Sequence, residues 1–487
     1  MNGSWRFYVS TVLLLLLIIL GLTSTGRLQP RFSAAALRVA EAPLAPAAIP
    51  LATVDNPTST LVCNIPAGNT SLTPGCHLNV LLDQKPAQDL PAISNAPCAG
   101  GSAAATYPCH RIDLLSFTPL SELGGVNGND IWGWTDPGTG REYALMGLTN
   151  GVAFIDISDP LNPVLLGNLP KHSGSVNSLW RDIKVYANHA FIVADYAGNH
   201  GLQVFDLTQL RHVAAPPVMF TETAHYSHFG SAHNIVINQE SGFAYAAGVS
   251  SGDITCAGGL HIINIQEPAN PLFAGCFSTD GYTHDAQCVN YAGPDEAYHG
   301  REICFNANTD TLTIVDATDK SAPEMLARQG YSSAGYTHQG WLTPDQRYFL
   351  LDDEGDEKPT QANTRTYIWD VANLEAPKII GTYTAANQAI DHNQYVHNGY
   401  TFQANYQSGL RVLSLNHIAQ GQLYEVAFFD VYPDGNDPTF NGAWSNYPFF
   451  DSGVIIVSGM EQGLFVLKMG DIAPLSSHIY LPAIVSR

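Results

Sequence analysis

The 487-residue chain carries 43 acidic against 21 basic residues, a formal charge of -22. A surface that acidic repels phosphate backbones and anionic lipid heads, which sets nucleic acid and membrane surfaces aside as partners. Charged residues make up only 13% while Gly (43), Pro (30) and Tyr (22) are plentiful, the composition of a turn-rich all-β protein.

Residues 1–26 place Arg6 ahead of an apolar run, VLLLLLIILGL, from Val12 to Leu22. The run is shorter than a span of about 20 residues and has the layout of a secretory signal, with an uncleaved N-terminal anchor as the alternative. Either way the bulk of the chain is expected outside the cytoplasm, secreted or at the cell surface. It would meet a membrane only through this segment, and only if uncleaved. Residues 27–57 are Ala/Pro-rich without a period and read as an extended tether. Residues 58–110 hold Cys63, Cys76, Cys98 and Cys109 and read as a small strap. Local bridges, 63 to 76 and 98 to 109, are the simplest of its three possible pairings. The eight cysteines lack CxxC or zinc-ribbon spacing, which favours disulfides in an oxidising compartment.

A repeat then begins. GVAFID (151), GLQVFD (201), GLHIIN (259), TLTIVD (311), RTYIWD (365), GLRVLS (409) and GLFVLK (463) recur at blade-sized intervals, each with room for about four strands. The stretch from Trp180 to Leu207, three short β-branched and aromatic runs parted by turn residues, shows the meander most clearly. The predicted fold is all-β, a seven-bladed β-propeller over residues 111–470, preceded by the disulfide-rich segment and followed by a tail, 471–487. The last copy lacks a fourth strand, while IDLLSFTP (Ile112 to Pro119) has no blade of its own. A ring left open exposes two edges, so this strand is expected to close the seventh blade from outside. Cys288 and Cys304 flank AGPDEAYHG as a cross-strand pair on strands one and two would, and Cys256 and Cys276 could join strands three and four.

Aligned on the repeat, the first strands begin with Asn129, Arg181, His233, His284, His338, His392 and Asn441. Innermost strands surround the channel, so this column is predicted to ring its mouth. The second column, including Asp130, Asp182 and Asp285, is polar as well. Meander topology brings the loops between strands two and three to the same face, including Asp195, His200, Asp253, DDEGDEK (Asp352 to Lys358) and Asn405-Tyr406. Two readings of the column stand open. His and Asx at strand starts can tie blade to blade through backbone groups. Alternatively, His233, His284, His338 and His392 can hold a divalent transition metal, which could activate water. DDEGDEK reads as a solvated loop, with Ca²⁺ bound by Asp352 to Glu357 as the alternative. Arg181 is expected to meet an anionic ligand or to pair with Asp130 or Asp182. Trp132, Trp134, Trp180, Trp341, Trp369 and Trp444 read as inter-blade packing, with a sugar platform as the alternative. GxSxG, HExxH, P-loop, CxxCH and Rossmann motifs are missing, and no catalytic residue is identifiable.

NDIWGWTDPGTGREYALMGLTNGVAFIDISDP, SLWRDIKVYANHAFIVADYAGNHGLQVFDLTQL, YTHDAQC, REICFNANTDTLTIVD and GAWSNYPFFDSGVIIVSGMEQGLFVL resemble the choice-of-anchor B family, related to proteins with LVIVD repeats. The likeness spans residues 97–469. It implies a secreted or surface-held bacterial β-propeller whose members differ in their C-terminal anchoring signal, and it supplies no catalytic residues. The end of this chain, SSHIYLPAIVSR, has no LPxTG, which argues for release or loose retention. The expected function is a binding module for an extracellular ligand or protein, its ligand face at the channel mouth. The alternative is a metal-dependent lyase or hydrolase using the histidine ring.

Overall fold

The computed structural model describes residues 83–252, 254–360 and 362–470. The segment 1–26, the linker, Cys63, Cys76, Asp253 and the tail 471–487 lie outside the described residues.

Seven antiparallel sheets follow one another along the chain, each a meander whose first strand is innermost. Blade 2 is representative: Arg181–Tyr186, His189–Ala194, Leu202–Asp206 and Ala224–Tyr226 pair in that order. All seven expected third strands are present, from Gly151–Asp156 in blade 1 to Gly463–Met469 in blade 7. Their signature residues have local causes. Gly201 and Gly409 enter strand three at φ 63° and 72°, where a Cβ would lie 2.5 Å from the Tyr226 carbonyl oxygen and 2.4 Å from that of Phe429. Only glycine tolerates both demands. The closing Asp starts the next turn: Asp156 accepts from Ser158 N–H, Asp316 from Thr318 N–H and Asp370 from Ala372 N–H, each at 3.0 Å.

Each third strand contributes to two cores. In strand three of blade 1, Val152 and Phe154 join the core shared with blade 2, while Ala153 and Ile155 join the core shared with blade 7. With both faces buried, the strands read as continuous apolar runs rather than alternating ones. Seven such clusters occupy the seven interfaces between neighbouring blades.

The ring closes as expected. Ile112–Pro119 pairs antiparallel with Gly463–Met469, from Gly463 opposite Pro119 to Met469 opposite Ile112. The described part of the strap, residues 83–110, joins the sheets. Ile93–Ala96 adds a fifth strand outside Ile112–Pro119, and the hairpin of Ser102–Ala103 and Tyr107–His110 extends blade 6 at Tyr424–Phe429. Cys98–Cys109, Cys256–Cys276 and Cys288–Cys304 are disulfides with Cα separations of 6.0, 5.1 and 4.0 Å. Cys288 and Cys304 sit directly opposite on strands one and two of blade 4. Cys256 precedes strand three of blade 3 instead of lying on it.

Phe117 in the closing strand is buried against Phe465 at 4.7 Å between ring centroids. Phe117→Ala is expected to lower the unfolding free energy by about 3–5 kcal/mol through the cavity it leaves, as a shift of the urea midpoint would report.

Candidate functional site

The inner strands stack their equivalent residues in layers along the axis. At the starts of the strands in blades 3 to 6, the rings of His233, His284, His338 and His392 form a continuous run with centroids 4.4, 4.3 and 4.4 Å apart. All four are buried. The expected ring is therefore present in part, and below the surface instead of at an open mouth. Above it residues 83–88 cross the face. Asp83 binds Lys358 at 2.6 Å and accepts from Asn441 Nδ2 at 2.8 Å, Asn127 Nδ2 donates to the Lys85 carbonyl at 3.2 Å, and Gln88 N–H donates to that of Glu461 at 2.7 Å. Leu179, Trp180, Ile390, Tyr406, Phe440, Trp444 and Met460 make an apolar cap at this end.

Hydrogen bonds fix the tautomers. His284 Nδ1 lies 2.8 Å from the His338 carbonyl oxygen, and His392 Nδ1 bonds the Trp444 carbonyl. Carbonyls only accept, so Nδ1 carries the proton in both rings and Nε2 keeps its lone pair. His338 Nδ1 lies 3.0 Å from Asp352 Oδ1, which already accepts from Gln339 N–H at 2.7 Å. His233 Nδ1 lies 3.1 Å from Asp195 Oδ2. Burial, reinforced by neighbouring imidazoles, holds His284 and His392 well below the usual histidine range and His338 at about 4. These three rings are neutral at physiological pH.

Several column residues are blade-to-blade ties. Asn129 Nδ2 donates to the Leu179 carbonyl at 2.9 Å, Asp130 accepts from Ile183 N–H at 3.1 Å, and Asp182 accepts from Ile235 N–H at 2.6 Å. Arg181 departs from expectation. It pairs with neither Asp130 nor Asp182, because Lys184 takes both, at 3.6 and 2.6 Å. Arg181 turns instead between blades 1 and 2, donating through Nε to the Leu148 carbonyl at 3.1 Å and through Nη1 to His200 Nε2 at 2.8 Å. Burial lowers its pKa to about 10, which leaves it charged.

DDEGDEK is not a solvated loop. Asp352 and Asp353 end strand two of blade 5, and Asp356 and Glu357 are buried with them because the segment folds inward against blade 5. Asp353 is saturated by Tyr331 OH and the N–H groups of Gly335, Tyr336 and Gly355. Asp356 pairs with Arg365 at 2.8 Å. Asp352 Oδ2 and both carboxyl oxygens of Glu357 and of Asp391 have no hydrogen-bond partner among the described residues. Burial raises the pKa values of Asp352, Glu357 and Asp391.

Further along the axis the expected Asp130 and Asp182 form a charged layer with Lys184, the member that sequence reasoning missed. Burial opposes charge on both Lys184 and Asp182, but Asp130 and then Asp182 outweigh it at the lysine and raise Lys184, while Lys184, with hydrogen bonds from Asp130 and Ile235 N–H, lowers Asp182. Asp130 is raised by burial. The Lys184 ammonium also sits 4.6 Å from the Trp132 ring centroid. Its place two residues beyond Asp182, on the same face of the strand, was the available signal. Past this layer a cavity of about 260 Å³ is lined by Trp132, Lys184, Asp285, Gln339, Trp341 and Tyr395, among others, with Gln239 and Glu240 exposed at its rim. Trp132 and Trp341 each meet Tyr395 edge to face, at 5.5 and 5.0 Å. The packing expectation holds for Trp134 and Trp369, which lie in inter-blade cores, and Trp132 and Trp341, though they line the cavity, also pack against the edges of two such cores.

A family model described as the LVIVD repeat matches residues 142–170, strands two to four of blade 1. No curated protein matches the chain. Among solved structures, the chain is similar to the β-propeller domain of Myceliophteria thermophila Cps50 (Swd1), with a TM-score of 0.44 at 12% identity over 68% of this chain and 94% of that one. A protein from Lactobacillus plantarum gives 0.44 at 11% over 68% and 88%, and Kuenenia stuttgartiensis hydrazine synthase 0.47 at 11% over 66% and 91%.

Two outcomes are expected at the charged layer. Lys184→Met should cost about 3–5 kcal/mol in urea unfolding by leaving buried carboxylate uncompensated. Burial, with Asp182 adding to it, raises Asp285 from 3.8 to about 7. Between those values the unfolded chain has lost a proton that the folded one keeps, so Asp285 makes stability fall as pH rises through this window. Unfolding measured from pH 4 to 8 should show a shallower fall in Asp285→Asn than in the parent.

Proposed function

We propose that the chain is a secreted or surface-held binding module whose ligand, a small molecule or a side chain of a partner protein, enters the axial cavity. The observation that carries this reading is the cavity itself, with walls of Trp132, Trp341 and Tyr395 and polar groups from Asp285, Gln287 and Gln339. Apolar walls with a few placed polar groups are the ordinary make-up of a ligand pocket. At about 260 Å³ it falls just under the usual ~300–1,000 Å³ and suits one ring-sized group. Lys184 is neutralised by Asp182, and Glu240 stands at the rim, so a neutral or cationic group is preferred over an anion. Three disulfides support an oxidising, extracellular setting.

Tryptophan fluorescence of the full chain, titrated with neutral monosaccharides and with alkylammonium ions, tests the reading. Saturable binding that weakens at least about tenfold, or 1.4 kcal/mol, in Trp341→Ala supports it. Unchanged affinity in that variant would place binding elsewhere and overturn it.

A further inference from the structure

The histidine end of the axis has its own chemistry, separate from the cavity. One ring nitrogen each of His338 and His392 and a Glu354 carboxyl oxygen lie within 4.8 Å of one another. The His392 imidazole has its proton on Nδ1, held by the Trp444 carbonyl, so its Nε2 presents a lone pair, and Asp352 Oδ1 holds His338 in place through Nδ1 at 3.0 Å. That is the arrangement by which outer partners orient metal-binding histidines. Glu354 is held in turn by Tyr406 OH, which donates to Oε1 at 2.7 Å. The same Oε1 lies 3.5 Å from His392 Nε2. A lone pair facing a carboxylate oxygen across that gap calls for a positive centre between them.

The surroundings favour a cation. Asp352, Asp353, Asp356, Glu357 and Asp391 are all buried in this sector. The nearby cations are already engaged, Arg365 with Asp356 and Lys358 with Asp83. Both oxygens of Asp391 and of Glu357 are without a hydrogen-bond partner among the described residues, which is costly for buried carboxyl groups. His284, 4.3 Å from His338 between ring centroids and likewise protonated on Nδ1, stands next in the run.

We propose that His338, His392 and Glu354 bind one divalent transition-metal ion. Two imidazoles and a carboxylate suit zinc, manganese or iron better than calcium, which prefers an all-oxygen shell. The ion would join the inner ends of blades 5 and 6 beneath the 83–88 segment, as a buried clamp across the axis. It does not depend on the ligand proposed for the cavity.

The test uses the full chain, stripped with chelator and then dialysed with Zn²⁺ or with Co²⁺ alone. One equivalent of Zn²⁺ is expected to remain, with a higher melting temperature, and Co²⁺ is expected to give visible d–d absorption. Glu354→Gln and His392→Ala should each weaken retention at least about tenfold while the Trp341 cavity still binds its probe. Three results would overturn the proposal. These are a folded parent chain that retains no Zn²⁺ and shows no Co²⁺ bands, retention unchanged in Glu354→Gln, and one equivalent of Ca²⁺ taken up in preference to Zn²⁺. The first of these needs no variant, so misfolding of His392→Ala leaves the test intact.

Discussion

Everything in this molecule depends on the impossibility of burying one blade alone. Each third strand carries apolar side chains on both faces, as with Val152 and Phe154 towards one neighbour and Ala153 and Ile155 towards the other, so a blade acquires two cores only when flanked on both sides. Seven interfaces for seven blades require a closed ring, and closure is made by hydrogen bonding Ile112–Pro119 onto Gly463–Met469. Non-local pairing between strands more than 300 residues apart thus seals the structure, and the strap adds to the same seam by extending blades 6 and 7.

Closure also creates the axis, and the axis concentrates cost. Residues at equivalent positions of the inner strands cannot avoid one another, so polar side chains there are desolvated together. The molecule answers in two ways. Many are turned into ties between blades: Asn129 reaches Leu179, Asp182 reaches Ile235, and Gln339 exchanges bonds with Gln394. Others are balanced by charge, as Lys184 balances Asp182. The structural and the ligand-bearing readings of the inner column are therefore not exclusive. A histidine whose Nδ1 is spent on a neighbouring carbonyl still presents Nε2 to the axis.

The two ends of the axis differ as a result. At the strand starts the histidines are covered by the aromatic cap and the 83–88 segment, and buried carboxyl groups crowd beside them. At the strand ends aromatic side chains from blades 1, 5 and 6 stand apart around a cavity. Mutual distance sets the contrast: the imidazoles are stacked in van der Waals reach, whereas Trp132, Trp341 and Tyr395 meet only by their edges.

Blade number and the histidine column were legible in the sequence because each is a local pattern repeated at a fixed interval, the closing strand because the repeat leaves one blade a strand short, and the Cys288–Cys304 pair because it flanks one loop symmetrically. Gly201 recurs in form as Gly409, and Asp316 as Asp156 and Asp370, because those blades share the same close approach before strand three or the same turn after it. Burial of DDEGDEK, the outward turn of Arg181, the charge balance at Lys184 and the cover over the histidines were not legible. Each depends on which side chains from different blades share a layer, and on where residues 83–88 come to rest. Repetition along the chain determined the ring. Only its closure in space decided which polar residues lost water together, and so where cations are held, where backbone is tied and where a cavity remains.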